Sequence, residues 1–346
     1  MKKPIVYLDR NENHYGPAPA CFKALRKPNI KKLSNYSRDF QRGVKSKLSE
    51  KLSEMFGIPE SQVLLGYGGE DILKQAVHCY LHQGEKILVP QYSWWYYKVI
   101  ADEVGGIRET YPFVEEENCF RYDFDGILEA YHQHKPSVIL ISSPNNPTGN
   151  SMSISDLNRL LDTLQDTVIV IDEAYTVFVN GDRSYVKEII ERHPNVLIIR
   201  TFSKYYALAG ARIGFALMGK ELSQFSKFSS RYLGYNRLTE RIAIAALESE
   251  EYYEEMRQKM LADLDMYFRE LNELPGFKAY RSEANFILAR IPSEIKKPMD
   301  DYLKSKGLVI KFMNEDGLNS HIRITIGTQE ENRLLMDEIR NFMSIR

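Results

Sequence analysis

The sequence predicts an α/β fold: a large domain with a mostly parallel seven-stranded sheet covered by helices in three layers, and a smaller α+β domain after it. From residue 63 onward, short apolar runs alternate with helical patterns. The runs are apolar at consecutive positions and rich in β-branched residues, which is typical of strands buried on both faces of a parallel sheet. After about residue 240, long amphipathic helical sequence and several short strands replace this alternation.

Residues 1–28 are predicted to form an N-terminal arm that belongs to the small domain or acts as a lid. Asn, Gly and Pro are dense in residues 8–20, and these residue types favour turns over regular structure. Residues 29–42 are predicted to be irregular as well. A helix is predicted over 43–56, because its apolar residues recur at helical spacing and Gly57 follows it.

The large domain is predicted to span residues 29–240 and the small domain residues 241–346. The predicted strands of the large domain are 63–65, 86–89, 107–111, 137–142, 167–171, 195–200 and 213–218. Helical periodicity predicts helices over 70–82, 93–104, 124–134, 154–164 and 184–192. In the small domain, a helix over 238–273, which a break can interrupt, precedes elements at 277–280, 285–290, 297–305, 308–312, 322–326 and 329–343.

Composition and charge restrict the classes of function. Lys and Arg number 46 and Asp and Glu number 47, a balance that argues against a nucleic-acid or membrane-surface partner. Cys21, Cys79 and Cys119 are widely spaced and form neither a metal-binding pair nor a disulfide framework. The N-terminus lacks the apolar core of a signal peptide, and no stretch approaches the ~18 apolar residues of a membrane span. We therefore expect a cytoplasmic protein that binds no metal.

Ligands of such sheets bind at the carboxyl ends of the strands, and the first two strands are followed there by distinctive residues. Gly66-Tyr-Gly-Gly-Glu-Asp71 precedes a helix, so its backbone N–H groups can close on a phosphate. It matches neither a dinucleotide fingerprint nor a P-loop, and a plain strand-to-helix turn is the simpler interpretation. Tyr92 is best placed to stack on a flat heterocycle. Trp94, Trp95 and Tyr96 can equally well pack a helix against the sheet.

Two further strand ends carry polar side chains. Prolines and a glycine fix the loop Ser143-Pro-Asn-Asn-Pro-Thr-Gly149, so the amide of Asn146 can donate to a phenolate oxygen. Asp172 ends an apolar strand and is costly to bury without a cation. A pyridinium nitrogen is such a cation, and the pair keeps the ring an electron sink. Tyr175 can reach the same oxygen as Asn146. The alternative role for Asp172 is a helix N-cap.

The segment from Thr201 to Gly214 lies between two apolar runs and contains Ser203, Lys204 and Arg212. Lys204 can form an imine with an aldehyde while Ser203 and Arg212 hold a phosphate on the same molecule, and pyridoxal phosphate carries both groups. The lysine must be neutral to react, and burial near other positive charge lowers a lysine pKa. For an isolated Ser-Lys pair, a surface lysine in a loop is the alternative.

In their order along the chain, these motifs resemble the fold-type I pyridoxal-phosphate enzymes, and in detail the histidinol-phosphate aminotransferase family. The matching segments cover nearly the whole chain: Asn11-Glu-Asn13 with Gly16-Pro17, the loop 143–149, Asp172-Glu-Ala-Tyr175, Thr201-Phe-Ser-Lys204, Ala207-Leu-Ala-Gly210, Glu283-Ala-Asn-Phe-Ile-Leu288 and Ile322-Arg-Ile-Thr-Ile-Gly-Thr328.

The resemblance implies a role for each matching residue around the cofactor ring. Lys204 corresponds to the imine lysine, and Asp172 to the partner of the pyridine nitrogen. Asn146 and Tyr175 correspond to the ligands of the phenolic oxygen, and Tyr92 to the stacking aromatic residue.

The resemblance also implies a phosphate cup made of Ser203, Arg212 and the backbone of Gly69 and Glu70. The family usually has a serine and an aspartate at these last two positions, so one phosphate hydroxyl is lost here. Tyr36 corresponds to a tyrosine that reaches the phosphate of the neighbouring subunit, which implies a homodimer with shared active sites.

On the substrate side, Arg323 corresponds to the arginine that binds the substrate carboxylate or phosphate, and Asn13 and Asn146 are assigned to substrate binding with it. His14 departs from the family, which has a proline there.

The function that the resemblance implies is amino transfer in amino-acid, namely histidine, biosynthesis. An amino donor and a keto acid such as 2-oxoglutarate would react in turn, which predicts ping-pong kinetics. A threonine-phosphate-decarboxylase-like enzyme, or an aminotransferase for another amino acid or a pathway-specific amino compound, is the alternative. Two other classes of function fit less well. A cofactor-binding regulator would need a DNA-binding segment, and the N-terminus offers none. A nicotinamide-dependent oxidoreductase would need the third glycine of the dinucleotide fingerprint, where this sequence has Asp71.

Overall fold

The computed structural model describes residues 4–26, 33–178 and 183–345. Its strands are β1 Val6–Leu8, β2 Val63–Gly66, β3 Lys86–Pro90, β4 Ile107–Tyr111, β5 Phe113–Glu115, β6 Phe120–Tyr122, β7 Val138–Ser142, β8 Val168–Asp172, β9 Val196–Thr201, β10 Gly214–Met218, β11 Lys278–Ala279, β12 Phe286–Arg290, β13 Leu308–Phe312 and β14 His321–Thr325. Its α-helices are α1 Pro19–Arg26, α2 Lys47–Phe56, α3 Gly69–Tyr80, α4 Tyr96–Glu103, α5 Phe124–His134, α6 Ile154–Thr163, α7 Ser184–Arg192, α8 Ser223–Phe228, α9 Arg237–Leu247, α10 Glu250–Asn272, α11 Lys296–Ser305 and α12 Gln329–Ser344.

The seven predicted strands of the large domain form one sheet in the order β2-β10-β9-β8-β7-β3-β4. β10 runs antiparallel to both of its neighbours, β2 and β9, and the pairs from β9 to β4 are all parallel. The prediction of a mostly parallel seven-stranded sheet is therefore confirmed.

Both faces of this sheet are buried, which accounts for the consecutive apolar residues. Along β8, Ile169 and Ile171 belong to one apolar cluster with residues of α5, α6 and α7, whereas Val170 belongs to a second cluster with residues of α3, α4 and α8. Successive side chains of a strand point to opposite faces, so a helical layer on each side requires apolar residues at every position. The arrangement gives the three predicted layers.

A second, five-stranded sheet has the order β1-β13-β14-β12-β11. No predicted element covers β1, which brings the arm into this sheet by pairing in parallel with β13. The predicted boundary between residues 28 and 29 lies outside the described residues, and the division into domains stays a prediction. Across residues 4–26, 33–178 and 183–345, no helix has the length and apolarity required to cross a membrane.

The helices predicted over 43–56 and 238–273 show how the structure refines the predicted elements. The helix predicted from residue 43 begins at Lys47, because Ser46 and Ser49 form a capping box there. Gly43 instead ends a short 3₁₀ helix with φ 81°, a left-handed conformation that favours glycine. The predicted break in the long helix after residue 238 lies between α9 and α10.

Candidate active site

A cavity of about 590 Å³ lies at the carboxyl ends of β7, β8 and β9. Its wall continues onto the arm through residues 9–12, and onto the small sheet through Lys311 and Arg323. Ser142 and Asp172 are paired in register, so β7 and β8 end at the same level. The cavity therefore occupies the place where parallel α/β sheets bind their ligands.

Lys204 lies in the turn that follows β9 and lines the cavity. Its Nζ donates a hydrogen bond to the backbone oxygen of Arg10 at 3.0 Å and lies 5.8 Å from the centre of the Tyr175 ring. The pKa of Lys204 is lowered to about 8, first by burial and also by the positive charges of Arg323 and Arg212, while two nearby carboxylates act against this shift. Near neutral pH, such an amine has an appreciable uncharged fraction, which is the form that attacks an aldehyde.

Asp172, the last residue of β8, also faces the cavity. Its Oδ2 accepts a hydrogen bond from the hydroxyl of Tyr97 at 2.8 Å, and its Oδ1 accepts one from the backbone N–H of Ala174 at 3.0 Å. Burial raises the pKa of Asp172, and these two hydrogen bonds oppose the rise. No salt bridge within the described residues reaches this carboxylate, so its position fits a cationic group supplied by a ligand.

Asn146 and Tyr175 both line the cavity. Asn146 Oδ1 accepts a hydrogen bond from Arg323 Nη1, so the NH₂ group is the part of the amide left for a ligand. The Tyr175 hydroxyl accepts a hydrogen bond from Asn11 Nδ2 at 2.9 Å, and this bond does not use the hydroxyl proton. Both side chains are thus able to donate to an oxygen of a bound molecule.

Arg323, on β14, is a buried cation in the cavity wall, with 9% of its surface exposed. Besides the bond to Asn146, its Nη2 donates to the backbone oxygen of Asp9 at 2.7 Å. Its Nε has no hydrogen-bond partner among the described residues. Because a buried guanidinium with an unused donor is costly, the group is suited to bind a carboxylate or a phosphate.

Another part of the cavity wall is formed where Gly69 begins α3, together with Glu70, Ser203 and Arg212. Gly68 has φ 94°, and a Cβ there would come within 2.8 Å of Arg212 Nη2, so this turn requires glycine. Arg212 Nη2 lies 3.4 Å from Glu70 Oε2. A helix N-terminus, a hydroxyl and a guanidinium together form an anion site, although Glu70 places a carboxylate beside it.

Tyr92 is not among the residues that line the cavity, and its stacking role stays a prediction. Its ring stacks on Phe113 with centroids 6.3 Å apart and meets Phe120 edge-on, because the hairpin of β5 and β6 supplies an aromatic cluster that Tyr92 joins. Trp94 and Trp95 line the cavity instead, and Trp95 is 58% exposed. Trp95 is thus the most exposed of the aromatic side chains that line the cavity.

Asn13 also differs from its prediction. Its Nδ2 donates to the backbone oxygen of Tyr205 at 2.9 Å and contacts Met256 Sδ, so its amide is held inside the protein and not at the cavity wall. Asn11 and its neighbours in the arm line the cavity in its place. Tyr36 is 69% exposed and lies outside the cavity of its own chain, and its role in a second subunit stays a prediction.

Tyr97 is a cavity residue to which sequence reasoning assigned no role. It is the fourth residue of the aromatic run that begins at Trp94. The run itself gives no signal that separates Tyr97 from the others, because only the packing of α4 on the sheet decides which hydroxyl meets Asp172.

These groups fit pyridoxal 5'-phosphate. Lys204, with its lowered pKa, suits the aldehyde of this cofactor, and the Asp172 carboxylate suits its pyridine nitrogen. The donors of Asn146 and Tyr175 suit its phenolic oxygen. The anion site at α3 suits its phosphate. Among the described residues, no three His, Cys, Asp or Glu side chains are grouped so that they could hold a metal ion.

Comparison with known proteins agrees with this fit. The family model of aminotransferase class I and II matches residues 3–339. The chain is 32% identical to the histidinol-phosphate aminotransferase of Ruminiclostridium cellulolyticum over 84% of its own length and 80% of the relative's. It is 30% identical to that of Clostridium beijerinckii over 99% of its own length and 92% of the relative's.

A solved structure of a similar protein has the same fold. The histidinol-phosphate aminotransferase from Sinorhizobium meliloti in complex with pyridoxal-5'-phosphate superposes with a TM-score of 0.88 at 25% identity, covering 99% of this chain and 91% of the other. The chain therefore belongs to the aminotransferase class I and II family and is a pyridoxal-phosphate-dependent aminotransferase.

Proposed function

We propose that the protein is a histidinol-phosphate aminotransferase-like enzyme of histidine biosynthesis, which exchanges an amino group with 2-oxoglutarate and glutamate by a ping-pong mechanism. The observation that supports the chemistry is that Lys204 and Asp172 line the same cavity. The pKa of Lys204 is lowered to about 8, and Asp172 has no ion-pair partner in the described chain. The names of the similar proteins support the substrate.

Bound pyridoxal 5'-phosphate supplies an aldehyde that reacts with amines and a ring that withdraws electrons from them. Lys204 Nζ acts as a base and takes a proton from the α carbon of the amino donor. The ammonium group formed in this way then acts as the acid that gives the proton up again. A pKa of about 8 allows both tasks near neutral pH. Asp172 keeps a proton on the pyridine nitrogen, because its negative carboxylate stabilises the positive charge of the protonated nitrogen.

The remaining cavity residues orient the two molecules. Trp95 offers its indole face to the ring in place of Tyr92, and Asn146 and Tyr175 donate to the phenolic oxygen. Arg323 binds the carboxylate of the keto acid, or the phosphate of the amino donor, with the help of its Nε–H, which has no partner among the described residues. Lys311, also at the cavity wall, adds a second positive charge for a doubly charged phosphate.

The phosphate of the cofactor binds to the backbone N–H groups of Gly69 and Glu70, to Ser203 and to Arg212. The proposed enzyme is a cytoplasmic homodimer in which Tyr36 of one subunit completes the phosphate site of the other. The exposure of Tyr36, together with exposed Phe40 and Tyr232, supports a contact surface on this side of the molecule.

A screen of half-reactions tests this function. The purified protein is loaded with pyridoxal phosphate and mixed with single amino donors, including histidinol phosphate, glutamate and threonine phosphate, while the absorbance of the cofactor is followed. We expect histidinol phosphate and glutamate to remove the visible band, and 2-oxoglutarate to restore it. Release of carbon dioxide from threonine phosphate would favour the decarboxylase alternative, and a band that none of these donors alters would contradict the proposed substrates.

A further inference from the structure

The hydroxyl of Tyr97 touches the carboxylate that the proposed function places against the cofactor. Tyr97 lies on α4 and is 1% exposed, and its hydroxyl donates to Asp172 Oδ2 at 2.8 Å. Its ring packs in the apolar layer between α3, α4 and the sheet, where it meets Trp94 edge-on at 6.0 Å. Because the ring is fully buried in this layer, the hydroxyl has a fixed position.

The two oxygens of Asp172 thus have one fixed donor each, the hydroxyl of Tyr97 on Oδ2 and the N–H of Ala174 on Oδ1. The donor on Oδ1 belongs to the turn that follows β8 and restrains one side of the carboxylate only. The donor on Oδ2 comes from a separate helix and prevents rotation of the group about its Cβ–Cγ bond. Without it, only the local turn would orient the carboxylate.

We propose that Tyr97 is a positioning residue, which holds the Asp172 carboxylate in the orientation and charge state that the pyridine nitrogen of the cofactor requires. The inference rests on the proposed role of Asp172. The donated hydrogen bond stabilises the anion at a site where burial disfavours it. Tyr97 keeps its own proton, because burial and the Asp172 charge raise the pKa of its phenol well above the usual value.

The chain offers a matched control in Tyr111. This tyrosine is also fully buried, and its hydroxyl donates to the backbone oxygen of Leu140 at 2.9 Å. Tyr111→Phe therefore removes a buried tyrosine hydroxyl and one hydrogen bond, as Tyr97→Phe does, but leaves the hydrogen bonds of Asp172 in place.

The test compares the binding of two ligands to the cofactor-free protein: pyridoxal phosphate, and its deaza analogue, in which a C–H group replaces the pyridine nitrogen. We expect Tyr97→Phe to weaken the binding of pyridoxal phosphate about tenfold, since a hydrogen bond to a charged group is lost. The binding of the deaza analogue should change by about twofold at most, because it has no nitrogen for Asp172. Tyr111→Phe should affect both ligands equally.

Equal weakening of both ligands by Tyr97→Phe, or no change for either, would overturn the inference. If the wild-type protein bound the two ligands with the same affinity, the proposed role of Asp172 would fail instead. Thermal unfolding of the cofactor-free variants shows whether each is folded. Should Tyr97→Phe be unfolded, Tyr97→Met removes the donor while filling much of the same space, and an unchanged preference for pyridoxal phosphate in that folded variant would overturn the inference.

Discussion

The two ends of the proposed cofactor site differ in how firmly the protein holds them. At the pyridine end, Asp172 is half-buried at the end of β8 and has a donor on each oxygen. At the phosphate end, Glu70 and Arg212 form an ion pair whose side chains are 48% and 46% exposed. Charges in a dry site interact strongly, whereas water and salt screen exposed pairs. We therefore expect the buried end to control the chemistry and the open end to control retention of the cofactor.

The largest effect is expected for Asp172→Asn at the buried end. An amide does not keep the pyridine nitrogen protonated, so turnover should fall roughly 100-fold or more, as when one preorganised electrostatic group is removed. Absorbance at saturating pyridoxal phosphate should show that the cofactor still binds. Asp156→Asn, on the exposed first turn of α6, is the control and should keep its turnover. Near-wild-type turnover of Asp172→Asn would leave this residue with only a structural role.

Lys204 lies between the two ends, and its lowered pKa predicts how the cofactor-free protein takes up the cofactor. Only the neutral amine reacts with an aldehyde, and its fraction grows as the pH rises toward the pKa of about 8. The rate of recombination should therefore rise about tenfold per pH unit below this value and level off above it. Stopped-flow absorbance from pH 6 to 10 measures this rate. A rise that continues to pH 10 would mean that Lys204 has the pKa of an ordinary lysine.

At the open end, Glu70→Gln should strengthen the binding of the cofactor. The substitution removes a negative charge beside the phosphate and frees Arg212 from its ion pair, but screening limits the gain to about two- to fivefold. Titration of the cofactor-free protein with pyridoxal phosphate measures the affinity. Glu103→Gln, a glutamate that pairs with Lys74 away from the cavity, is the matched control. Weaker binding by Glu70→Gln would show that Glu70 positions Arg212 for the phosphate.

An effect of similar size is expected for Tyr36→Phe, which should weaken retention of the cofactor about fivefold through the loss of one hydrogen bond. A mixed dimer tests from which subunit Tyr36 acts. One chain carries Tyr36→Phe with Lys204 intact, and the other carries Lys204→Ala with Tyr36 intact. The single site that contains Lys204 should then retain the cofactor as the wild type does. An active monomer by light scattering would contradict the shared site.

The sequence predicts the sheet and the order of its strands along the chain well, since strands buried on both faces leave a strong apolar signal. It also identifies Lys204, Asp172, Asn146 and Tyr175, because polar residues directly after apolar strands mark the functional edge of such a sheet. These four side chains line one cavity in the structure.

The differences between the sequence-based expectations and the structure have a common physical origin in tertiary packing. Tyr92 is drawn toward Phe113 and Phe120 of a hairpin that the sequence does not predict, and Trp95 takes its place at the cavity. The amide of Asn13 donates a hydrogen bond to the backbone oxygen of Tyr205, which is distant in the sequence. Strand β1 has three residues and depends on β13, which lies about 300 residues later. The local sequence pattern carries no information about these contacts, because they join residues that are far apart in the chain.

The central claim is that Lys204 is the residue that reacts with the cofactor, and covalent trapping tests it most directly. The protein loaded with pyridoxal phosphate is reduced with borohydride and digested, and the modified peptide is identified by mass spectrometry. We predict a single adduct on Lys204, and no adduct at this peptide in Lys204→Ala, whose visible band should also be lost. A stoichiometric adduct on any other lysine, or an unchanged visible spectrum in Lys204→Ala, would contradict the account.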